Sequence, residues 1–194
     1  MTEGYVFKIA DALAARGEPV GLYNLGIPGA TVVEIQTALE VFLITRQEVD
    51  LVTLWTGSND LIQGLTVAEF AQGLRSILSE LRARTNAFIV IANLVDLTQL
   101  PRFVEKPDVN VTAARVAAFN QVIRSEAAAF RVPVLNLFAL VDPIRDLTSA
   151  LDGFHPNNRG HQRLASLFLG LIVPHLRPEP EQDLLLVMRR DAFM

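Results

Sequence analysis

Asp152 and His155 stand three residues apart in the run Asp152-Gly153-Phe154-His155-Pro156-Asn157-Asn158-Arg159-Gly160-His161. An imidazole takes up and releases protons near neutral pH, and a carboxylate beside it can fix its tautomer and stabilise the imidazolium formed during acyl transfer. Pro156 keeps His155 out of the helical region, and the spacing of Leu164, Leu167, Phe168, Leu171 and Ile172 predicts a helix soon after. The pair therefore belongs to a loop that feeds a helix. On spacing alone two roles stay open for it: base and orienter, or turn and capping residues.

An acyl-transfer site also needs donors for the developing oxyanion, and two further stretches could supply them. Gly29, in Gly26-Ile27-Pro28-Gly29-Ala30-Thr31, offers a backbone N–H; Asn59, in Gly57-Ser58-Asn59-Asp60, offers a side-chain amide. Loss of one such donor typically costs roughly 3–4 kcal/mol of transition-state stabilisation. Taken singly, each stretch also reads as a plain turn. Of the other candidates, His161 reads as a packing or hydrogen-bonding residue and His175 as a partner for the negative end of its helix. Trp55 reads as core or pocket wall, and Phe103 as a loop residue that could line the site.

The elements that must hold these residues alternate along the chain. Helices are predicted over 5–16, 32–46, from the capping box of Thr66 and Glu69 to Arg84, over 112–130 and over 158–176. Strands are predicted at Val20–Leu25, Asp50–Thr56, Ala87–Leu94 and Val132–Phe138, and the third is apolar on both faces, as a central parallel strand should be. Residues 95–110, broken by Pro101 and Pro107, read as a long loop over the site. Such alternation predicts an α/β fold, a parallel sheet covered by helices on both faces, with its site at the carboxyl ends of the strands.

At 194 residues and 51% hydrophobic, the chain can build one domain with a substantial core. Its 17 basic residues are scattered among 21 acidic ones, which leaves no electrostatic footprint for nucleic acid. The absence of cysteine excludes disulfides, thiolate metal sites and a Cys nucleophile. No signal-peptide pattern opens the chain and no apolar run reaches transmembrane length, so the expectation is a cytoplasmic protein without a membrane span. A compositional shift at Arg177 separates a domain over 1–176 from a tail over 177–194. The tail's acidic start and basic end predict a short helix.

In this order, Asn24-Leu25-Gly26-Ile27-Pro28-Gly29-Ala30-Thr31, Gly57-Ser58-Asn59-Asp60 and Asp152-Gly153-Phe154-His155-Pro156-Asn157 resemble the second, third and fifth blocks of the SGNH hydrolases, also called GDSL-like lipases and esterases. The similarity runs from near Tyr5 to about Leu176. It implies a three-layer α/β/α, flavodoxin-like fold with a five-stranded parallel sheet, and a cofactor-free hydrolase acting on a small-molecule acyl ester. By the same resemblance Gly29 and Asn59 are oxyanion donors, His155 is the general base and Asp152 its orienter. No motif specifies the acyl chain, the alcohol or an oligomeric state.

One departure from the family pattern matters. The Gly-Asp-Ser block that supplies the nucleophile does not occur, while Met1-Thr2-Glu3-Gly4 fits the stretch just after that serine. The expectation is therefore that the serine and the first strand lie upstream of Met1, and that the chain's own four strands leave a vacancy between Val20–Leu25 and Asp50–Thr56. Ser58, beside Asn59, is the substitute within the chain, although the family allows varied residues there. A Gly-x-Ser-x-Gly elbow is also lacking, which argues against an α/β-hydrolase. Two other classes stand beside this reading. One is a metal-dependent phosphoesterase with ligands from Asp60, Asp152, His155 and His161; the other is a non-catalytic anion-binding module using the 26–31 turn and the helix after it.

Overall fold

The computed structural model describes residues 4–45, 48–140 and 144–176. Its sheet is parallel, with β1 (Leu51–Trp55), β2 (Phe88–Ala92) and β3 (Val134–Leu135) side by side in that order. Leu51 lies opposite Phe88, and Ile91 opposite Val134. The central strand is buried on both faces: Ile89 and Ile91 join one core cluster, Val90 and Ala92 the other. On the first face lie α2 (Val32–Thr45), α4 (Val67–Arg84) and α6 (Ala113–Ala129), and on the second α1 (Tyr5–Ala14) and α7 (Asn158–Leu176). This is the three-layer α/β/α arrangement that unbroken apolar runs such as Phe88-Ile89-Val90-Ile91 require, since both sides of the sheet must be covered.

Local signals set the helices. Thr66 accepts from the Glu69 amide while the Glu69 carboxylate accepts from the Thr66 amide, a reciprocal cap that starts α4 where the sequence places it. Thr112 caps α6 by accepting the Arg115 amide alone, with no return bond.

The strands depart from expectation where their partners do. Val20–Leu25 is not a strand; Val20 and Tyr23 are 40% and 54% exposed, and the Tyr23 ring rests on Phe42 of α2 with centroids 5.2 Å apart. An extended segment becomes a strand only by pairing its backbone with a neighbour, and the neighbour of β1 in the sheet is β2 alone among the described residues. The sheet therefore has three strands there, not the expected four. β3 is also shorter than Val132–Phe138, because Asn93 Oδ1 takes the amides of Leu137 and Phe138 at 2.6 and 3.1 Å, ending the ladder.

Residues 95–110 are not a plain loop. A single 3-10 turn (Leu97–Gln99) leads into α5 (Pro101–Glu105), whose first position suits proline because that N–H would have no helical partner. Phe103 packs in the core, 5% exposed, edge-on to Phe154 at 5.9 Å. The expected tail helix lies outside the described residues, as does Arg46 at the end of the second helix. No described helix is long and apolar enough to cross a membrane.

Candidate active site

The loop before α7 brings Asp152 and His155 together. Asp152 Oδ2 lies 2.6 Å from His155 Nδ1, while Oδ1 accepts the amides of Phe154 and His155 at 2.9 and 3.0 Å. One oxygen of this carboxylate thus serves the turn and the other faces the imidazole, an arrangement open to either role that spacing allows. Partial burial pushes that carboxyl upward, but the bonds from the His155 ring and the two amides outweigh it and hold Asp152 below its usual value.

Asn157 holds this loop in place. Its backbone amide donates to Leu147 O at 2.9 Å and its side-chain amide to the carbonyls of Asp146 and Thr148 at 2.8 and 3.0 Å. Its Oδ1 caps α7 through the Gly160 amide at 2.9 Å. Gly160 must lack a side chain, since a Cβ there would stand 2.2 Å from Leu147 O and 2.9 Å from Pro156 Cβ. Sequence reasoning quotes both residues within the 152–161 run but gives them no role, although one signal is present: an Asn after Pro and just before a helical pattern marks an N-cap. From the other side, the Arg102 amide donates to Gly153 O at 3.1 Å, and the Arg102 guanidinium sits 5.6 Å from the Phe154 ring.

Across the site, the chain leaves β1 by way of Gly57, whose φ of +109° and contact with Phe70, 2.9 Å from a would-be Cβ, both demand glycine. Ser58, Asn59 and Asp60, expected as part of a turn over 57–60, instead open the short helix α3 (Ser58–Ile62). Asn59 Nδ2 donates to Ala30 O at 3.0 Å and Gln63 Nε2 to Gly29 O at 2.9 Å, so the 26–31 turn is clamped onto α3. The Asn59 amide keeps a second N–H, and no described residue accepts from the Gly29 amide.

At the start of α2 the amides of Thr31 and Val32 are already used. Thr31 donates both its N–H, at 2.9 Å, and its hydroxyl to Glu34, and Val32 donates to Asp60 Oδ1 at 2.8 Å. The Thr31 hydroxyl, and then the amides, hold Glu34 below its usual value. An external anion therefore meets two carboxylates at the helix start, which counts against that part of the anion-binding reading. Asp60 itself is pushed up, first by burial, against the lowering effect of the Val32 amide.

Between the two halves lies a cavity of about 250 Å³. Asn59 and His155 both line it, with Ser58 and Trp55, whereas Gly29, Asp152 and Phe103 do not. Trp55 Nε1 and Thr56 Oγ1 are buried without a partner among the described residues. His161 Nδ1 is likewise buried and unpartnered, and burial, then Lys8, then His155 lower its pKa. Of the two roles expected for His161, packing or hydrogen bonding, Nδ1 fits the first. The His175 ring stacks on Phe88 with centroids 3.7 Å apart, a contact beyond the expected pairing with the helix end. The four ligands of the phosphoesterase reading do not assemble: no three His, Cys, Asp or Glu side chains are grouped to hold a metal among the described residues.

The family model of the GDSL-like lipase/acylhydrolase family matches residues 2–163. Among curated proteins nothing matches the sequence. Solved structures share the fold. The psychrotrophic esterase EstA from Pseudoalteromonas sp. superposes with a TM-score of 0.72 at 20% identity, covering 90% of this chain and 88% of the other. The lipase/acylhydrolase from Enterococcus faecalis gives 0.68 at 24% identity, with 92% and 88% covered, and TesA gives 0.69 at 22%, with 88% of each.

Proposed function

The chain belongs to the GDSL-like lipase/acylhydrolase family, and on that footing we propose that it hydrolyses small acyl esters with His155 as general base, Asp152 as its orienter, and Asn59 and the Gly29 amide as oxyanion donors. The observation that carries the reading is the 2.6 Å contact between Asp152 Oδ2 and His155 Nδ1, made at the rim of a cavity that Asn59 also lines. With Nδ1 bound to the carboxylate, Nε2 is the ring nitrogen left to take a proton from the attacking hydroxyl. The hydroxyl oxygen bonds to the ester carbon, and the carbonyl oxygen becomes an oxyanion facing the donors. Nε2 then returns the proton to the leaving alcohol as the C–O bond breaks. Water, deprotonated by the same nitrogen, releases the acid.

The nucleophile in this proposal is a serine upstream of Met1. Two features support it: no described hydroxyl hydrogen-bonds His155, and one edge of β1 has no described strand beside it. Ser58, at the first position of α3 and on the cavity wall, is the alternative within the chain.

The test compares the chain as given with a version extended upstream to include the serine, on short p-nitrophenyl esters. The extended protein should turn them over, and His155→Ala should abolish most of that activity; full activity in His155→Ala overturns the assignment of the base. Turnover by the unextended chain, lost in Ser58→Ala, would instead make Ser58 the nucleophile. EDTA should leave the rate unchanged, since an imidazole, a carboxylate and amide donors fill every role. A requirement for added Zn²⁺ would revive the phosphoesterase reading.

A further inference from the structure

We propose that the chain's own segment 184–190, Leu184-Leu185-Leu186-Val187-Met188-Arg189-Arg190, docks on the outer face of α2. That face is apolar and uncovered among the described residues. Val33, Val41 and Ile44 are 60%, 63% and 70% exposed. With Thr37 they are spaced four, four and three residues apart, which lines them up along one side of the helix. Thr37 returns its hydroxyl to Val33 O at 3.1 Å, so that hydroxyl asks for no outside partner. Val32, Leu39 and Leu43, on the other side, are buried in the core. A helix apolar on both sides is normally covered on both, and here the core covers one of them.

Charge selects the occupant. Glu34 and Glu40 stand exposed on either flank of the stripe, and α2 contains neither Lys nor Arg. A covering segment should therefore join an apolar run to cations, and 184–190 does so with five apolar residues followed by two arginines. The acidic residues of the tail, Glu179, Glu181, Asp183 and Asp191, stand outside that run. Position allows the contact as well. The described chain ends at Leu176, just after His175, whose ring stacks on Phe88. Phe88 opens β2 opposite Leu51, which opens β1, and α2 is the helix that leads into β1. The helices α2 and α7 therefore finish at the same edge of the sheet. Residues 177–183 can extend over roughly 23–25 Å, more than the roughly 15 Å from a sheet to the outer side of a helix packed on it. The stripe faces away from the core, so this segment does not compete with an upstream strand beside β1.

The test uses the whole chain, which has no cysteine of its own. Val41→Cys combined with Leu186→Cys should close an intramolecular disulfide under mild oxidation by diamide, seen as monomer on a non-reducing gel and as one linked peptide pair in the digest. The control pairs Leu186→Cys with Val109→Cys, since Val109 is 90% exposed and belongs to the connection between α5 and α6. That pair should link several-fold more slowly. In the Val41 background, Arg189→Glu with Arg190→Glu should slow closure about two- to fivefold, the size of an exposed ion-pair effect, and Glu40→Lys should restore it. Thermal unfolding confirms that each variant is folded. Equal rates at Val41 and Val109, or a closure rate indifferent to the charge reversal, overturns the proposal. Disulfides formed between chains rather than within one would make a second copy the occupant and overturn it as well.

Discussion

Asp60 accepts the first amide of α2: its Oδ1 lies 2.8 Å from Val32 N, a buried bond between residues 28 apart in the chain, while Oδ2 has no partner among the described residues. Through it α3, which follows β1, is fixed to the start of the second helix, and Asn59, the next residue back, lines the cavity.

The burial of that carboxyl makes stability depend on pH. Burial raises the Asp60 carboxyl in the folded protein, so its contribution to stability is fully present below the ordinary carboxyl value of about 4 and is lost as pH rises through the higher folded value. Asp60→Asn keeps an acceptor for Val32 and cannot ionise. The stability of the parent relative to this variant should therefore decline from about pH 4 upward, measured as urea midpoints at stepped pH. A difference that stays constant to pH 8 would contradict the assigned shift. Asp60→Ala, which orphans a buried amide, should cost about 1–3 kcal/mol.

Asp152→Asn separates orientation from folding. Asparagine can still accept the Phe154 and His155 amides through Oδ1 but no longer carries the charge that faces Nδ1. In the extended enzyme kcat should fall by roughly three to four orders of magnitude with little change in melting temperature. Asn59→Ala should lower kcat by roughly two to three orders with KM nearly unchanged, because a hole donor acts on the transition state. A variant that raised only KM would remove Asn59 from that role.

Gly160→Ala tests the close passage of Leu147 beneath α7. The added Cβ would meet Leu147 O at 2.2 Å, so the 144–148 turn must shift, at a cost of roughly 2–4 kcal/mol. Gly170, in the same helix, has nothing within 4 Å of a built Cβ. Gly170→Ala should therefore be neutral or stabilise by up to about 1 kcal/mol. Equal effects in chemical denaturation would mean that the passage is not tight.

Extending the chain upstream should raise its thermal midpoint by many degrees. β1 pairs on one edge only among the described residues, and Val20, Leu22, Tyr23, Leu25 and Ile27 are all more than a third exposed. A strand laid along that edge would satisfy open backbone groups at about 1–3 kcal/mol for each one buried. Identical midpoints for two monomers would show that nothing pairs there.

The order of residues alone was enough for features made by near neighbours. Thr66 with Glu69, Thr112, and Pro156 ahead of an apolar stripe mark helix ends through contacts spanning a few residues, and the spacing of Asp152 and His155 already put a carboxylate within reach of an imidazole. The buried run at β2 was equally plain, since a strand covered on both faces has nowhere to put a polar residue. Whatever depends on a distant partner had to wait for the folded chain. Val20–Leu25 has the composition of a strand and is none, because a ladder is made by a neighbour and not by propensity. Asn93 cut β3 short by taking amides 44 and 45 residues away. The meeting of Asn59 with His155 on one cavity came from the sheet, which carries both loops to the same end of its strands; no local pattern encodes a contact that only a folded sheet can make.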